Sequence, residues 1–239
     1  MSTQPHRTIV VTGASRGLGL EWVKQLSQDP HNLVIAVPLL GPRVKVVKGD
    51  ITDFESLPDV AKEIGKVGGG KVDVLINNAG IMTGAGASFN LGISHSTPVE
   101  WDIQFRTNVT AQVFFTLSLL PLLQNGQEKK TVNIASMLGD LTYSRENPDL
   151  QFASYAASKA GITMANLKFH NEFKDKGFVF LALNPGWVDT ELAGEGTGSY
   201  APLKVEDSIR QCLSFVNRAT AEHSGKFWSL DGRPEAVVQ

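Results

Sequence analysis

The stretch Thr8-Ile-Val-Val-Thr-Gly-Ala-Ser-Arg-Gly-Leu-Gly19 combines an apolar run, a glycine turn and the start of a helical pattern. Thr8–Val11 reads as a strand, and Leu18–Gln28 reads as a helix that opens directly out of the turn. Glycines suit such a turn for three reasons. One permits the tight bend, one lets backbone approach a pyrophosphate, and one lets helix pack on strand. The helix start then offers free N–H groups and partial positive charge to phosphates. A glycine-rich loop without ligand is the competing reading, and the strand-before, helix-after context weighs against it.

Outward from this turn the pattern repeats. Strands are expected at Leu33–Val37, Val44–Val47, Val72–Ile76, Thr131–Ile134 and Phe178–Leu183, with a short one at Phe227–Leu230. Most are continuous apolar runs, as strands buried on both faces are. Helices are expected at Ser56–Lys66 (with Asp53 as a candidate N-cap), Val99–Leu123, Ser154–Phe173 and Lys204–Asn217. This alternation predicts a doubly wound Rossmann fold: a mostly parallel seven-stranded sheet with helices on both faces, in one domain over residues 1–239. One connection is unusually short. Only Pro38–Arg43 separates the second and third strands, where a parallel crossover normally takes a dozen or more residues. Six residues reach about 20 Å, so the chain must run back without a helix.

Composition narrows the function classes. The 239 residues carry 22 Lys+Arg against 24 Asp+Glu, a formal net charge of -2, which offers no basic excess for a nucleic-acid backbone. The only cysteine is Cys212, so neither an internal disulfide nor a cysteine-built zinc site can form. No metal site is expected. Val113–Leu123 is the longest apolar stretch and is too short to span a bilayer. With no targeting signal visible, a cytoplasmic protein is the default expectation.

Tyr155-Ala-Ala-Ser-Lys159 places a phenol and an ammonium four apart, on one face of a helix. A nearby ammonium favours the phenolate, so the tyrosine can exchange a proton with a substrate oxygen. Ser136 follows the fifth strand, at the carboxyl end where open α/β sheets bind substrates. Its hydroxyl can donate to a carbonyl that is becoming an alkoxide. A half-exposed helix face is the plain alternative for the Tyr–Lys pair taken alone.

The turn spacing Gly13-x-x-x-Gly17-x-Gly19 after Thr12, Asn77-Asn78-Ala79-Gly80, Tyr155-x-x-x-Lys159 and Pro185-Gly186 occur in one order over nearly the whole chain. In these features the sequence resembles the short-chain dehydrogenase/reductase family, classical type. Thr107-Asn-Val-Thr110, Asn184-Pro-Gly-Trp-Val188 and the ending Ser224-Gly-Lys-Phe227 with Asp231-Gly232 resemble carbonyl reductases of the C-factor or sniffer kind within it. The resemblance implies a catalytic set of Asn108, Ser136, Tyr155 and Lys159, with Asn108 holding a water that links to the lysine. It implies cofactor contacts from Gly13, Ser15, Arg16, Gly17, Leu18 and Gly19, and from Asp50 and Ile51 beside the adenine. Further contacts are implied from Asn78, Ala79, Gly80, Tyr155, Lys159, Pro185, Gly186, Val188 and Thr190, the last at the nicotinamide carboxamide. Arg16 can grip a ribose 2′-phosphate, and no acid stands at Ala36-Val37-Pro38-Leu39, which favours NADP(H) over NAD(H). Arg43 is a second candidate for that phosphate.

The expected function is an NADP(H)-dependent oxidoreductase interconverting a carbonyl and an alcohol. The alternative is a protein of this fold with weakened cofactor binding that acts in biosynthesis, signalling or interaction without redox turnover; the short Pro38–Arg43 link motivates it. Val113-Phe114-Phe115-Leu117 could pair two copies, giving a homodimer or homotetramer. Trp187 is a candidate pocket wall. Gly194, Gly196 and Gly198 suggest a moving segment over a small-molecule substrate. The substrate pocket is expected from the loops Ile81–Thr97, Met137–Phe152 and Thr190–Tyr200. The substrate itself is not written in the sequence.

Overall fold

The computed structural model describes residues 7–37, 44–88, 90–193, 201–230 and 237–238. Pro38–Arg43, Gly194, Gly196, Gly198 and Asp231-Gly232 lie outside the described residues.

The sheet is built from β1 (Arg7–Thr12), β2 (Asn32–Val37), β3 (Val44–Val46), β4 (Val74–Asn77), β5 (Lys130–Ile134), β6 (Val179–Asn184) and β7 (Phe227–Ser229). These seven run parallel in the order β3-β2-β1-β4-β5-β6-β7. A two-residue eighth strand, β8 (Val237–Val238), pairs antiparallel with β7. It was not expected, because two residues carry no readable period. The order reverses between β1 and β4, so the cleft for a ligand opens above the carboxyl ends of those strands.

The helices are α1 (Gly17–Leu26), α2 (Leu57–Val67), α3 (Pro98–Phe105), α4 (Ala111–Gln124), α5 (Leu141–Glu146), α6 (Ala153–Phe173) and α7 (Val205–Arg218). Alternate residues of β1 show why the strands read as unbroken apolar runs. Ile9 and Val11 pack with Trp22 and Val23 of α1 and with Ile209, Cys212 and Phe215 of α7. Val10 faces the other way, with Ile64 of α2, Phe115 and Leu119 of α4, and Phe169 of α6. Both faces are covered, and no alternation is left to see.

Four local outcomes differ from the expectations. The helix expected over Val99–Leu123 is α3, a π-turn over Arg106–Thr110, and α4 in succession. Asp53 does not cap α2. Ser56 holds that position in helical conformation without a side-chain cap, and its hydroxyl donates to the Asp53 carbonyl. Helix α5 is not among the helices expected from the sequence; its six residues are too few for a period, and Asp140 caps it by accepting from the Tyr143 N–H. The apolar stripe of α4 is split, with Phe115 fully buried and Phe114 and Leu117 exposed.

The short second connection closes geometrically. β3 starts opposite Val34, three residues back from the end of β2 at Val37. The chain must therefore return by about 10 Å along the strand and step about 5 Å sideways. Six residues are long enough for that span, and β2 and β3 pair in parallel.

Candidate active site

The β1–α1 turn is braced from β4. The Thr12 hydroxyl accepts from the N–H groups of Asn78 and Ala79, and the Asn78 amide donates to the carbonyls of Thr12 and Gly13. Gly13 sits at φ +63°, and a Cβ there would stand 2.7 Å from Ala79 Cα. No other residue fits so close a crossing. Helix α1 then begins without a capping side chain and without an acid in its first turn. Its free N–H groups and positive end face the cleft, which fits a phosphate.

One cavity of about 860 Å³ gathers almost every residue singled out from the sequence. Gly13, Ser15, Arg16, Gly17, Leu18 and Gly19 of the glycine turn line it. So do Asp50 and Ile51 after β3, and Asn78, Ala79 and Gly80 after β4. Ser136, Tyr155 and Lys159 share the same lining, with Pro185, Gly186, Val188 and Thr190 of the rim segment after β6. Trp187 is half exposed on that rim. Asn108 is the exception: it does not line the cavity, whereas its neighbour Thr107 does. Its side chain is buried in the π-turn. The amide oxygen accepts from the Ile81 N–H, and the amide nitrogen donates to the Ile81 carbonyl and the Ser158 hydroxyl.

Two supports lie behind the cavity. Asn77 donates to Thr116 and Asn133; Asn133 donates to Asn166, which donates to the Phe180 carbonyl. This buried chain ties β4, β5, β6, α4 and α6 together. The rim is pinned by Ser208, which donates to the Pro185 carbonyl, and by the Asp189 N–H donating to the Leu203 carbonyl. Thr190 consequently reaches van der Waals contact distance of the space beside Gly17. Arg16 stands 3.7 Å from Glu191, both largely exposed. An exposed pair of that length is worth little and leaves the guanidinium available.

The Tyr155 phenol is hydrogen-bonded with the Ser136 hydroxyl. Burial pushes its pKa well above the usual phenol value, and the bond with Ser136 only partly offsets this. Lys159 Nζ lies 5.5 Å from the Tyr155 ring centroid and donates to the Ile134 carbonyl at 2.6 Å. The sequence suggested that the ammonium would favour the phenolate. In this geometry burial prevails, and Tyr155 holds its proton. Asp50 is held below the usual carboxylate range by hydrogen bonds from the Thr52 backbone and side chain, so it is anionic at neutral pH.

Burial also lowers the Lys159 pKa, to about 8. A lysine in the unfolded chain titrates near 10.4. Between those values the unfolded state binds more protons than the folded one, so stability rises with pH across that window. The gain is at most on the order of 3 kcal/mol. The unfolding midpoint of the cofactor-free protein should therefore rise relative to Lys159→Met between about pH 8 and pH 10. Parallel pH–stability curves for the two proteins would contradict the burial of a charged amine.

Thr52, Met82, Leu138, Tyr143 and Phe152 line the cavity as well. Of these, Met82, Leu138, Tyr143 and Phe152 fall in the loops expected to build the substrate pocket, and Thr52 is the one that sequence reasoning missed. Phe152 takes a left-handed conformation at φ 36° just before α6, rare for an aromatic residue. No sequence period marks such positions.

A crossing-point cleft lined by both a glycine cradle and a Ser–Tyr–Lys group defines a dinucleotide-binding enzyme of the Rossmann class. The family described as short chain dehydrogenase matches residues 7–199. The short-chain dehydrogenase/reductase AacuF of Aspergillus aculeatus is 34% identical over 260 residues, covering 95% of this chain and 98% of that protein. The C-signal protein of Myxococcus xanthus is 33% identical over 166 residues, covering 68% of this chain and 91% of its own. An NADPH-bound carbonyl reductase from chicken fatty liver superposes with a TM-score of 0.83 at 25% identity, covering 98% of this chain and all of that one. The chain belongs to the short-chain dehydrogenase/reductase family, and with it to the oxidoreductases.

Proposed function

We propose that the protein is an NADP(H)-dependent oxidoreductase that interconverts a carbonyl and an alcohol, with Tyr155 as the acid/base. The observation that carries the reading is the Ser136–Tyr155 hydroxyl pair lining one cavity with the uncapped start of α1.

The cofactor, when bound, supplies the hydride acceptor or donor. The chain supplies the rest. The α1 N–H groups hold the diphosphate, Asp50 and Ile51 bound the adenine, and Arg16 holds the 2′-phosphate. Thr190 and the Val188 backbone orient the nicotinamide end. Ser136 donates to the substrate oxygen as it gains charge. Tyr155 gives that oxygen its proton in reduction, and the raised pKa keeps the proton in place until then. Lys159, held behind the tyrosine, hydrogen-bonds the nicotinamide ribose and stabilises the phenolate that results. Asn108 contributes through the π-turn, since its side chain is engaged with Ile81 and Ser158.

The partner is a small molecule. No helix among the described residues is long and apolar enough to cross a membrane. The buried free thiol of Cys212 accords with a cytoplasmic setting. Val99, Ile103 and Phe114 on α3 and α4, with Met164 and Leu167 on α6, expose apolar surface that fits pairing of two copies into a homodimer, or a homotetramer.

The test is to follow NADPH and NADH at 340 nm, an absorbance maximum of the reduced cofactors, against ketones, aldehydes and quinones, with a fluorescence titration of each cofactor. Turnover with NADPH and tighter NADPH binding are expected. Failure to bind either cofactor would favour the non-redox alternative.

A further inference from the structure

Four buried polar side chains are spaced four apart along α3, the π-turn and α4: Glu100, Gln104, Asn108 and Gln112. Each engages the backbone that leaves β4, in antiparallel order. Gln112 donates to the Ala79 carbonyl at 2.6 Å, and Asn108 bonds both polar groups of Ile81. Gln104 donates to the Thr83 carbonyl at 3.5 Å. Glu100 accepts from the N–H groups of Ala85 and Gly86 at 3.1 and 2.8 Å.

The spacing has a physical basis. Four helical residues rise about 6 Å, close to the roughly 6.6 Å that two extended residues span. That match serves the rungs at Ala79, Ile81 and Thr83, while the outermost rung meets the short 3-10 turn Gly84–Ala87. An α-helix would rotate a four-residue stripe by about 40° per step. The wider π-turn at Arg106–Thr110, in the middle of the ladder, takes more residues per revolution and removes part of that drift.

Two rungs continue into the catalytic helix α6. Gln104 donates to the Ser154 hydroxyl, which donates to Glu100; Ser154 directly precedes Tyr155. Asn108 donates to the Ser158 hydroxyl, next to Lys159. Glycines make room at the outer end: a Cβ on Gly84 would come 2.6 Å from Glu100, and one on Gly86 would come 2.6 Å from Gln104.

We infer that Glu100 and Gln104 are positioning residues: as the outer rungs of this ladder they fix the cleft wall at Ile81–Met82 relative to Tyr155. The inference rests on the proposed oxidoreductase reading. A buried carboxylate is costly unless fully hydrogen-bonded, and apolar packing could hold the same helix with less risk. What apolar packing does not supply is register. Glu100 admits one partner set, and so sets which residues of the loop face the substrate and where the first turn of α6 stands.

Two variants test this, each measured as kcat per NADPH-binding site, so that a smaller folded fraction does not count. Glu100→Gln keeps the shape but replaces one acceptor with a donor. Ser154→Ala leaves the Ala85 and Gly86 bonds in place and cuts the link to α6. A misplacement near 1 Å can cost about 100-fold in rate. Both variants should lose at least tenfold in kcat while NADPH affinity stays within twofold. Hydrogen exchange at the Ala85 and Gly86 amides should quicken in Glu100→Gln. If both variants keep kcat within twofold of the parent, the inference is overturned. If the parent shows no turnover, the proposed function has failed instead; unchanged exchange at Ala85 and Gly86 in Glu100→Gln would then overturn the ladder by itself. Should Glu100→Gln not fold, Ser154→Ala decides.

Discussion

Tyr155→Phe should lower kcat for carbonyl reduction by about 10³-fold and leave NADPH affinity nearly unchanged. The phenol is buried, hydrogen-bonded with Ser136, and holds its proton. Removing only the hydroxyl therefore removes the acid and little else. The ring keeps its place, because α6 is fixed on one side of Tyr155 through Ser154 and on the other through Ser158. Steady-state rates with saturating NADPH, together with a fluorescence titration, check both halves. A variant with parental kcat would mean that some other group protonates the substrate.

The second large effect is expected at Gly13→Ala. The new methyl would meet Ala79 Cα at 2.7 Å and its nitrogen at 3.0 Å, with φ at +63°. The left-handed conformation alone costs an alanine about 1–2 kcal/mol. The contact is worse, because Ala79 cannot yield freely. Its N–H is held by Thr12 and its carbonyl by Gln112. The strain must open the crossing between the β1 turn and the β4 exit, and both Gly13 and Ala79 line the cavity. Loss of NADPH affinity of at least tenfold is expected, with a clear drop in the unfolding temperature. Gly69→Ala is the control: φ is also positive there, at +66°, but nothing stands within 4 Å of the added methyl. It should lower stability only modestly and spare the cofactor. Equal losses of affinity in the two variants would show that conformation, not the crossing, matters at Gly13.

Much of this arrangement was legible before any coordinates. The apolar runs at Thr8–Val11 and Thr131–Ile134 fall inside β1 and β5. The glycine turn lies where a strand meets a helix, and Ser136, Tyr155 and Lys159 meet in one cavity with that turn. Other elements left weaker marks. The π-turn at Arg106–Thr110 reads as plain helix, because one extra residue in a turn barely alters an apolar period. β8 is too short to carry any pattern. The upward push of burial on the Tyr155 phenol was not legible, since a lysine four residues away says nothing about how deeply the pair is buried.

Local chemistry determined the order of strands and helices, the parallel sheet, the glycine turn and the residue types of the site. These depend on period, backbone freedom and spacing along the chain, all of which a linear text preserves. Only the tertiary structure decided that Lys159 turns to the Ile134 carbonyl and that Asn108 is engaged with Ile81 and Ser158. It alone revealed that Glu100, in the first turn of α3, reaches across to hold the Ala85 and Gly86 amides. Those outcomes depend on burial and on partners distant in sequence, and both come into being only when the layers close on one another.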